Sequence, residues 1–193
     1  ERMNRSIAKL GTTIFEVMSG LARETGAINL GQGFPDAHGP SELIEAAARA
    51  LRERSNQYPP MRGLPELRAA IASYYARHQG LDLADEEIVV TSGATEALAA
   101  CITGLLNPGD EVILVQPLYD AYAPLAELVG AVPRFVSLAP PDWRLPMEAL
   151  RAAVTPRTRM ILLNTPHNPT GSMISAEEFE TLAAICVAHG IVL

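Results

Sequence analysis

A chain of 193 residues is long enough for one good-sized core, and 48% hydrophobic against 19% charged residues is a soluble globular composition. A formal charge of −7 without any basic cluster argues against nucleic acid as a partner. No run approaches the roughly 18 apolar residues of a membrane span, and no charged-then-apolar leader opens the sequence, so no membrane partner and a cytoplasmic setting are expected.

Residues 1–40 read as an N-terminal arm. Within it, the spacing of Ile14, Val17, Met18 and Leu21 predicts a short amphipathic helix over 13–22. Ile28-Asn29-Leu30 then runs through Gly31-Gln32-Gly33 into the Phe34-Pro35-Asp36 turn. The Gly-x-Gly here lacks a third glycine and a helix directly after it, so it is weak evidence for a dinucleotide site. Ser41 is placed to cap a helix with Leu43, Ile44, Ala47 and Leu51 on one face. Asn56-Gln57-Tyr58-Pro59-Pro60 ends it, because the residue before each proline is pushed out of the α region. Pro65 opens the next helix at a first-turn position, with Leu64, Leu67, Ile71 and Tyr74 as its apolar face.

From Ile88 onward strands and helices alternate. Strands are predicted over 88–91, 112–115, 132–138, 160–163 and 191–193, and helices over 94–106, 119–129, 146–154 and 175–189. Val112-Ile113-Leu114-Val115 is apolar at every position, as in a strand covered on both faces. Ser175 and Glu178 form a capping box at the start of the last helix, and Gly190 is its C-cap. Such alternation means crossover units and an α/β fold with a mostly parallel sheet.

Cys101 and Cys186 fall inside apolar helical patterns without a Cys-x-x-Cys pair, and read as buried thiols of a reduced compartment. His38, His78, His167 and His189 share no metal-like spacing, so no metal site is expected. Lys9 is the single lysine. The chain starts without Met and stops inside the 191–193 strand, so both ends look cut.

Three strand-end loops carry the chemistry. At Ser92-Gly93-Ala94-Thr95 a strand turns into a helix, where backbone N–H groups and the positive end of the helix dipole make a phosphate site. An ordinary capped helix fits the same residues, and without a Walker lysine this is no nucleotide P-loop. Gln116-Pro117-Leu118-Tyr119 ends the next strand, and Tyr119 is placed either to stack on a flat cofactor or to begin a helix core. Asn164-Thr165-Pro166-His167-Asn168-Pro169-Thr170-Gly171 follows the 160–163 strand, on the edge where open α/β sheets bind ligands. Its prolines, asparagines and glycine make a turn with or without a ligand.

Asn-x-Pro-x-Asn-Pro-Thr-Gly resembles the signature loop of the class I/II aminotransferases, fold type I enzymes dependent on pyridoxal 5′-phosphate (PLP). Leu30-Gly31-Gln32-Gly33-Phe34-Pro35, the stretch from Asn56 to Arg68, Ser92 to Leu98 and Gln116 to Tyr122 match further family segments in order. Together they extend the resemblance over nearly all of residues 10–193, closest in look to the kynurenine/glutamine/methionine subgroup. Pro59 and Pro60, Gln116 and Leu118 depart from the usual pattern.

The resemblance implies a three-layer large domain with helices on both faces of its sheet, incomplete at the C-terminus. Residues 1–40 would then be an arm of the small domain, and 41–193 the first part of the PLP-binding domain. Gly93, Ala94 and Thr95 would hold the cofactor phosphate, Tyr119 would stack on the ring, and Asn168 would donate to its phenolic oxygen, with Pro169 a candidate for the cis form. Gly33, through its N–H, and Asn168 would meet the substrate. Tyr58 would reach the partner subunit's cofactor phosphate in a homodimer. The implied activity moves an amino group between an amino acid and a 2-oxo acid. No catalytic residue falls in this chain, because the Schiff-base lysine and the acid facing the pyridine nitrogen are expected after Leu193. Lys9 is in the wrong place to substitute, so the chain alone is expected to be inactive. A cysteine-conjugate or cystathionine-type β-lyase, and a non-catalytic binding or regulatory remnant of the fold, are the alternatives.

Overall fold

The computed structural model describes residues 4–8, 11–33 and 37–193, so the expectations for Lys9 and for Phe34-Pro35-Asp36 lie outside the described residues. The chain divides into two units: Thr12–Ser92, and Glu1–Gly11 together with Gly93–Leu193. A four-residue helix, α1 (Arg5–Ala8), belongs to the second of these.

The unit of residues 12–92 is helical. Helix α2 (Ile14–Thr25) starts where Thr13 Oγ1 accepts the Glu16 N–H at 3.3 Å and ends at Gly26, whose φ of 66° is open to glycine at little cost. Helix α3 (Ser41–Glu53) corrects one expectation: Ser41 is its first helical residue rather than its cap. The carbonyl of Pro40 takes the first backbone bonds, from Leu43 and Ile44, while the Ser41 hydroxyl turns to the Glu42 carboxylate at 3.3 Å. Leu43, Ile44 and Leu51 on its apolar face remain exposed. Helix α4 (Pro65–Gln79) begins with its proline in the first turn, where the missing N–H costs nothing. Arg68 is buried on it and donates to the Asp85 carboxylate at 2.6 Å and to the Asp85 carbonyl at 3.2 Å.

Ile88–Thr91, expected as a strand, is not one among the described residues. A strand needs a ladder partner, and here the Val90 N–H is spent on the Arg62 carbonyl at 3.0 Å instead.

In the other unit, α5 (Gly93–Leu105), β1 (Glu111–Gln116), α6 (Tyr122–Leu128), β2 (Val132–Ser137), α7 (Met147–Ala153), β3 (Thr158–Leu162) and α8 (Ala176–His189) follow one another. The sheet order is β2-β1-β3 with every pair parallel, and Glu111 sits opposite Val132 on one side and Thr158 on the other. The run expected as a strand at 191–193 contributes one isolated parallel bridge, Met160 to Val192.

The pleat sends alternate residues of β1 into separate cores. Ile113 and Val115 join Leu150 of α7 and Leu182, Ile185 and Cys186 of α8, while Val112 and Leu114 join Ile102 of α5 and Tyr122 and Ala126 of α6. Helices therefore cover both faces of a parallel sheet, as expected. Two sequence expectations need correction. Helix α6 begins at Tyr122, not Tyr119, because Pro124 lacks an N–H and is tolerated only in a first turn. Cys101 is exposed, whereas Cys186 is buried.

Glu111 ties together the N-terminal ends of the strands. It is 1% exposed. Its Oε2 accepts the Thr155 hydroxyl at 2.7 Å, and its Oε1 accepts from Arg157 Nη2 at 2.6 Å and Nε at 3.2 Å. The Thr155 bond, with Arg157 beside it, holds the carboxyl below its ordinary range against the opposing effect of burial. A carboxylate with a lowered folded pKa contributes stability that is complete above the unfolded value, about 4.3, and is lost as pH falls through the lower folded value. Glu111→Gln should therefore cost about 2 kcal/mol in urea unfolding at pH 7, and the gap to wild type should close as the pH drops through that window. Gly63 is a second sensitive point: at φ 96° an added Cβ would lie 2.6 Å from Val90 Cγ2. Gly63→Ala should lower the melting free energy by about 1–3 kcal/mol, combining backbone strain with overpacking.

Candidate functional site

Parallel strands present the loops that follow them at one edge, and here those loops are 117–121 after β1 and 163–175 after β3. The second is built by its own polar groups. The His167 N–H bonds the Ser172 carbonyl at 2.8 Å, and the Gly171 N–H bonds the His167 carbonyl at 2.7 Å, with Gly171 at φ 73°. Thr170 Oγ1 accepts the Ser172 N–H at 3.3 Å, and Thr165 Oγ1 accepts the Ile174 N–H at 3.3 Å. The loop hands over to α8 through the Ser175–Glu178 capping box, whose two bonds measure 3.2 and 2.9 Å. The backbone N–H of Ser175 holds the Glu178 carboxyl below its ordinary range. Asn168–Pro169 is cis, as are Thr165–Pro166 and Gln116–Pro117.

A relay of contacts joins the two loops. The Tyr119 ring meets the Tyr122 ring edge-on, with centroids 5.6 Å apart. Asn164 Nδ2 donates to the Tyr122 hydroxyl at 3.2 Å, and Asn164 Oδ1 accepts the Asn168 N–H at 3.3 Å. Tyr119 and Asn168, the aromatic and the amide singled out from sequence, are thus linked through two residues that were not. Tyr122 was hidden as an apparent core residue of a helix. Asn164 stands in the recognised motif, but its partner is 42 positions earlier, and no local spacing shows that pairing.

Ala94, at the start of α5, lines one groove of about 690 Å³ together with Tyr122, Asn164 and Thr165. The rest of that groove is largely apolar, with Leu98, Ile102, Leu105, Met160 and Phe179 along it. Of the other sequence candidates, Gly93 has φ 81° and, beyond its own turn, open space where a Cβ would stand, and Thr95 is exposed on the first turn of α5. Tyr119 is half-buried and Asn168 exposed. Gly33 and Tyr58 lie in the unit of residues 12–92, where Gly33 is exposed and Tyr58 is 97% exposed.

His167 is the buried titratable group of the edge. Burial pushes its pKa down, partly offset by a hydrogen bond to the Pro117 backbone, so the ring is neutral near pH 7. Among the described residues no group of three or more His, Cys, Asp or Glu is placed to hold a metal ion, and no helix is long and apolar enough to cross a membrane.

The donor set suits an anionic, flat, heteroaromatic cofactor. The positive end of a thirteen-residue helix with a glycine at its first position faces phosphate well. A tyrosine ring offers a stacking face, and an asparagine amide offers both a donor and an acceptor.

Comparison with known proteins agrees with that chemistry. The chain is 49% identical over 185 residues to a probable N-succinyldiaminopimelate aminotransferase of Mycobacterium tuberculosis, covering 94% of this chain and 47% of that protein. With the methionine aminotransferase of Escherichia coli it shares 45% over 186 residues, covering 96% and 48%. The solved structure of the M. tuberculosis N-succinyldiaminopimelate aminotransferase superposes with a TM-score of 0.93 at 47% identity, over 98% of this chain and 50% of that one. The chain thus spans about half the length of the curated relatives it matches. The aminotransferase class I and II family model matches residues 25–193, and the chain belongs to that family, whose members depend on PLP.

Proposed function

We propose that the protein carrying this chain is a PLP-dependent aminotransferase that moves an amino group between an amino acid and a 2-oxo acid. The observation that carries the reading is the meeting of an aromatic ring, an amide and a helix N-terminus at one sheet edge, through the Tyr119–Tyr122–Asn164–Asn168 relay and the groove shared with Ala94. When bound, PLP supplies an electron sink that lets the amino group leave one carbon skeleton and join another. In this reading Gly93, Ala94 and Thr95 bind its phosphate with first-turn N–H groups and the Thr95 hydroxyl. Tyr119 covers one ring face and keeps water from it. Asn168 donates to the phenolic oxygen, and the Asn164 bond to its backbone holds it in place. Gly33 offers its N–H to the substrate carboxylate, and Asn168 also meets the substrate. The lysine that carries PLP and the acid facing the pyridine nitrogen belong to a part of the protein after Leu193. Residues 1–40 form an arm of the small domain, and 41–193 begin the cofactor domain. The free thiols Cys101 and Cys186 fit a cytoplasmic setting.

The test is transamination by the intact enzyme, followed as 2-oxo acid formation, in wild type and two variants. Tyr119→Ala should weaken PLP retention about three- to tenfold, the worth of one aromatic stack. Asn168→Ala should instead move the pH titration of the bound cofactor's absorption. Retention and titration both unchanged would remove these residues from the cofactor.

We also propose a homodimer with shared sites, in which Tyr58 serves the partner subunit's cofactor. Exposure of Tyr58 and of the apolar faces of α2 and α3 supports this reading. An isologous interface lends two such residues at once, one to each site. Co-expression of a Tyr58→Ala chain with a chain lacking the downstream lysine should give mixed dimers with one intact site. Activity should rise above that of either variant alone, toward half the wild-type value. Verified mixed dimers without recovery would show that Tyr58 serves its own chain.

A further inference from the structure

Helix α2 buries one side chain, and it is a serine: Ser19 is 6% exposed, while Ile14, Val17, Met18 and Leu21 of the same helix face outward. A buried hydroxyl costs free energy unless it is hydrogen-bonded. Ser19 is bonded twice, both times to the segment that leads into Gly33. Its Oγ donates to Gln32 Oε1 at 3.0 Å and accepts from Asn29 Nδ2 at 3.1 Å. Asn29 Oδ1 in turn accepts the Gly31 N–H at 2.9 Å.

The direction of each bond follows from Gly31. A backbone N–H can only donate, so Asn29 turns its oxygen to Gly31 and its NH2 group to Ser19. The hydroxyl accepts there, and its single proton is left for the Gln32 side-chain carbonyl. Residues 28–33 belong to no strand, so bonds to side chains take the place of a ladder. Gly31 lets the segment lie close to the helix: an added Cβ would stand 3.0 Å from Met18 Cβ and 3.3 Å from Asn29 Oδ1.

We infer that Ser19 is a positioning residue for the substrate: through Asn29 and Gln32 it holds residues 29–32 against α2 and thereby aims the Gly33 N–H at the substrate carboxylate, an assignment that rests on the reading of Gly33 as a substrate contact. The Gly33 N–H lies in the peptide plane that starts at the Gln32 Cα. Gln32 is tied through its side chain and Gly31 through its N–H, so the start of that plane is held before substrate arrives. A preformed donor spares binding the entropy of ordering it. The carboxylate is common to the amino acid and the 2-oxo acid, so Ser19 serves both.

The experiment uses the intact enzyme with PLP bound, as wild type, Ser19→Ala, Gln32→Met and the variant carrying both. The probes are L-alanine and ethylamine, the same amine without the carboxylate, and single-turnover change of the cofactor absorption gives a second-order rate constant for each. Ser19→Ala should lower the constant for alanine about tenfold and leave that for ethylamine within about twofold. Gln32→Met should act in the same direction, and the double variant should be no slower than Ser19→Ala, because both changes break one bond. Equal losses with the two amines, or additive losses in the double variant, would overturn the positioning role. If Ser19→Ala does not fold, as judged by its melting curve, Gln32→Met at an exposed position still decides through the same pair of amines.

Hydrogen exchange of the ligand-free enzyme judges the tether by itself. Amides of 29–33 should exchange about tenfold faster in Ser19→Ala, with those of 14–25 in α2 unchanged. Unchanged exchange at 29–33 would overturn the tether. Faster exchange with the alanine preference intact would overturn the link from the tether to the carboxylate. A wild-type enzyme that reacts no faster with alanine than with ethylamine counts against the carboxylate reading of Gly33, while the exchange rates still judge the tether.

Discussion

Two-sided burial of β1 is the constraint from which the sheet unit follows. Glu111 to Val115 are buried in an unbroken run, and a strand with no solvent face must receive helices on both sides. Its pleat then divides the apolar residues between two cores: Val112 and Leu114 are claimed by α5 and α6, Ile113 and Val115 by α7 and α8. Fully burying each such side chain is worth about 1.5–3 kcal/mol, so a shift of one position in register would exchange both cores at once. The charged residue at the head of this strand is affordable only because Thr155 and Arg157 satisfy it, and those bonds fasten β1 to the turn that starts β3.

With the strands fixed in parallel, their C-terminal ends must share an edge. Loops there cannot use the ladder bonds of the sheet, so their polar groups are satisfied by bonds within the loop and by side chains. Asn164, Thr165, Thr170 and Ser172 do this in the loop after β3. Asn164 extends the same economy to Tyr122 at the start of α6. Hydrogen bonds in partly dehydrated surroundings are stronger than in water and hold geometry better. That is what a site needs when it must keep a ring face and a ring edge at fixed separation. The site's order is thus a by-product of satisfying backbone groups that the sheet leaves over.

The helical unit of residues 12–92 follows a different rule. Its helices carry well-formed caps at Thr13, Gly26 and Gly80, so local signals suffice to place them. Their apolar faces, however, hold few buried residues: only Ser19 in α2 and Arg68 in α4 are buried, and none in α3. Helix formation there is a matter of caps and periodicity, with the Arg68–Asp85 pair as one internal tie.

The amino-acid sequence by itself determined the class of the fold, the alternation of elements and the family. These are written in local patterns: the apolar run 112–115, the Ser175–Glu178 box, the proline at 65 and the Asn-x-Pro-x-Asn-Pro-Thr-Gly loop. It misjudged Ile88–Thr91, where the composition is that of a strand but pairing depends on a neighbour; the run 191–193 finds one, through its bridge to β3. It also started α6 at Tyr119, overlooking that Pro124 admits a helix only from Tyr122 onward. What only the tertiary structure decided is which polar groups meet across the sheet edge. Asn164 finding Tyr122 joins residues 42 positions apart. Such pairs carry no sequence signature, because a side-chain hydrogen bond depends on distance in space, and that distance is set by how the strands pack rather than by the order of the residues.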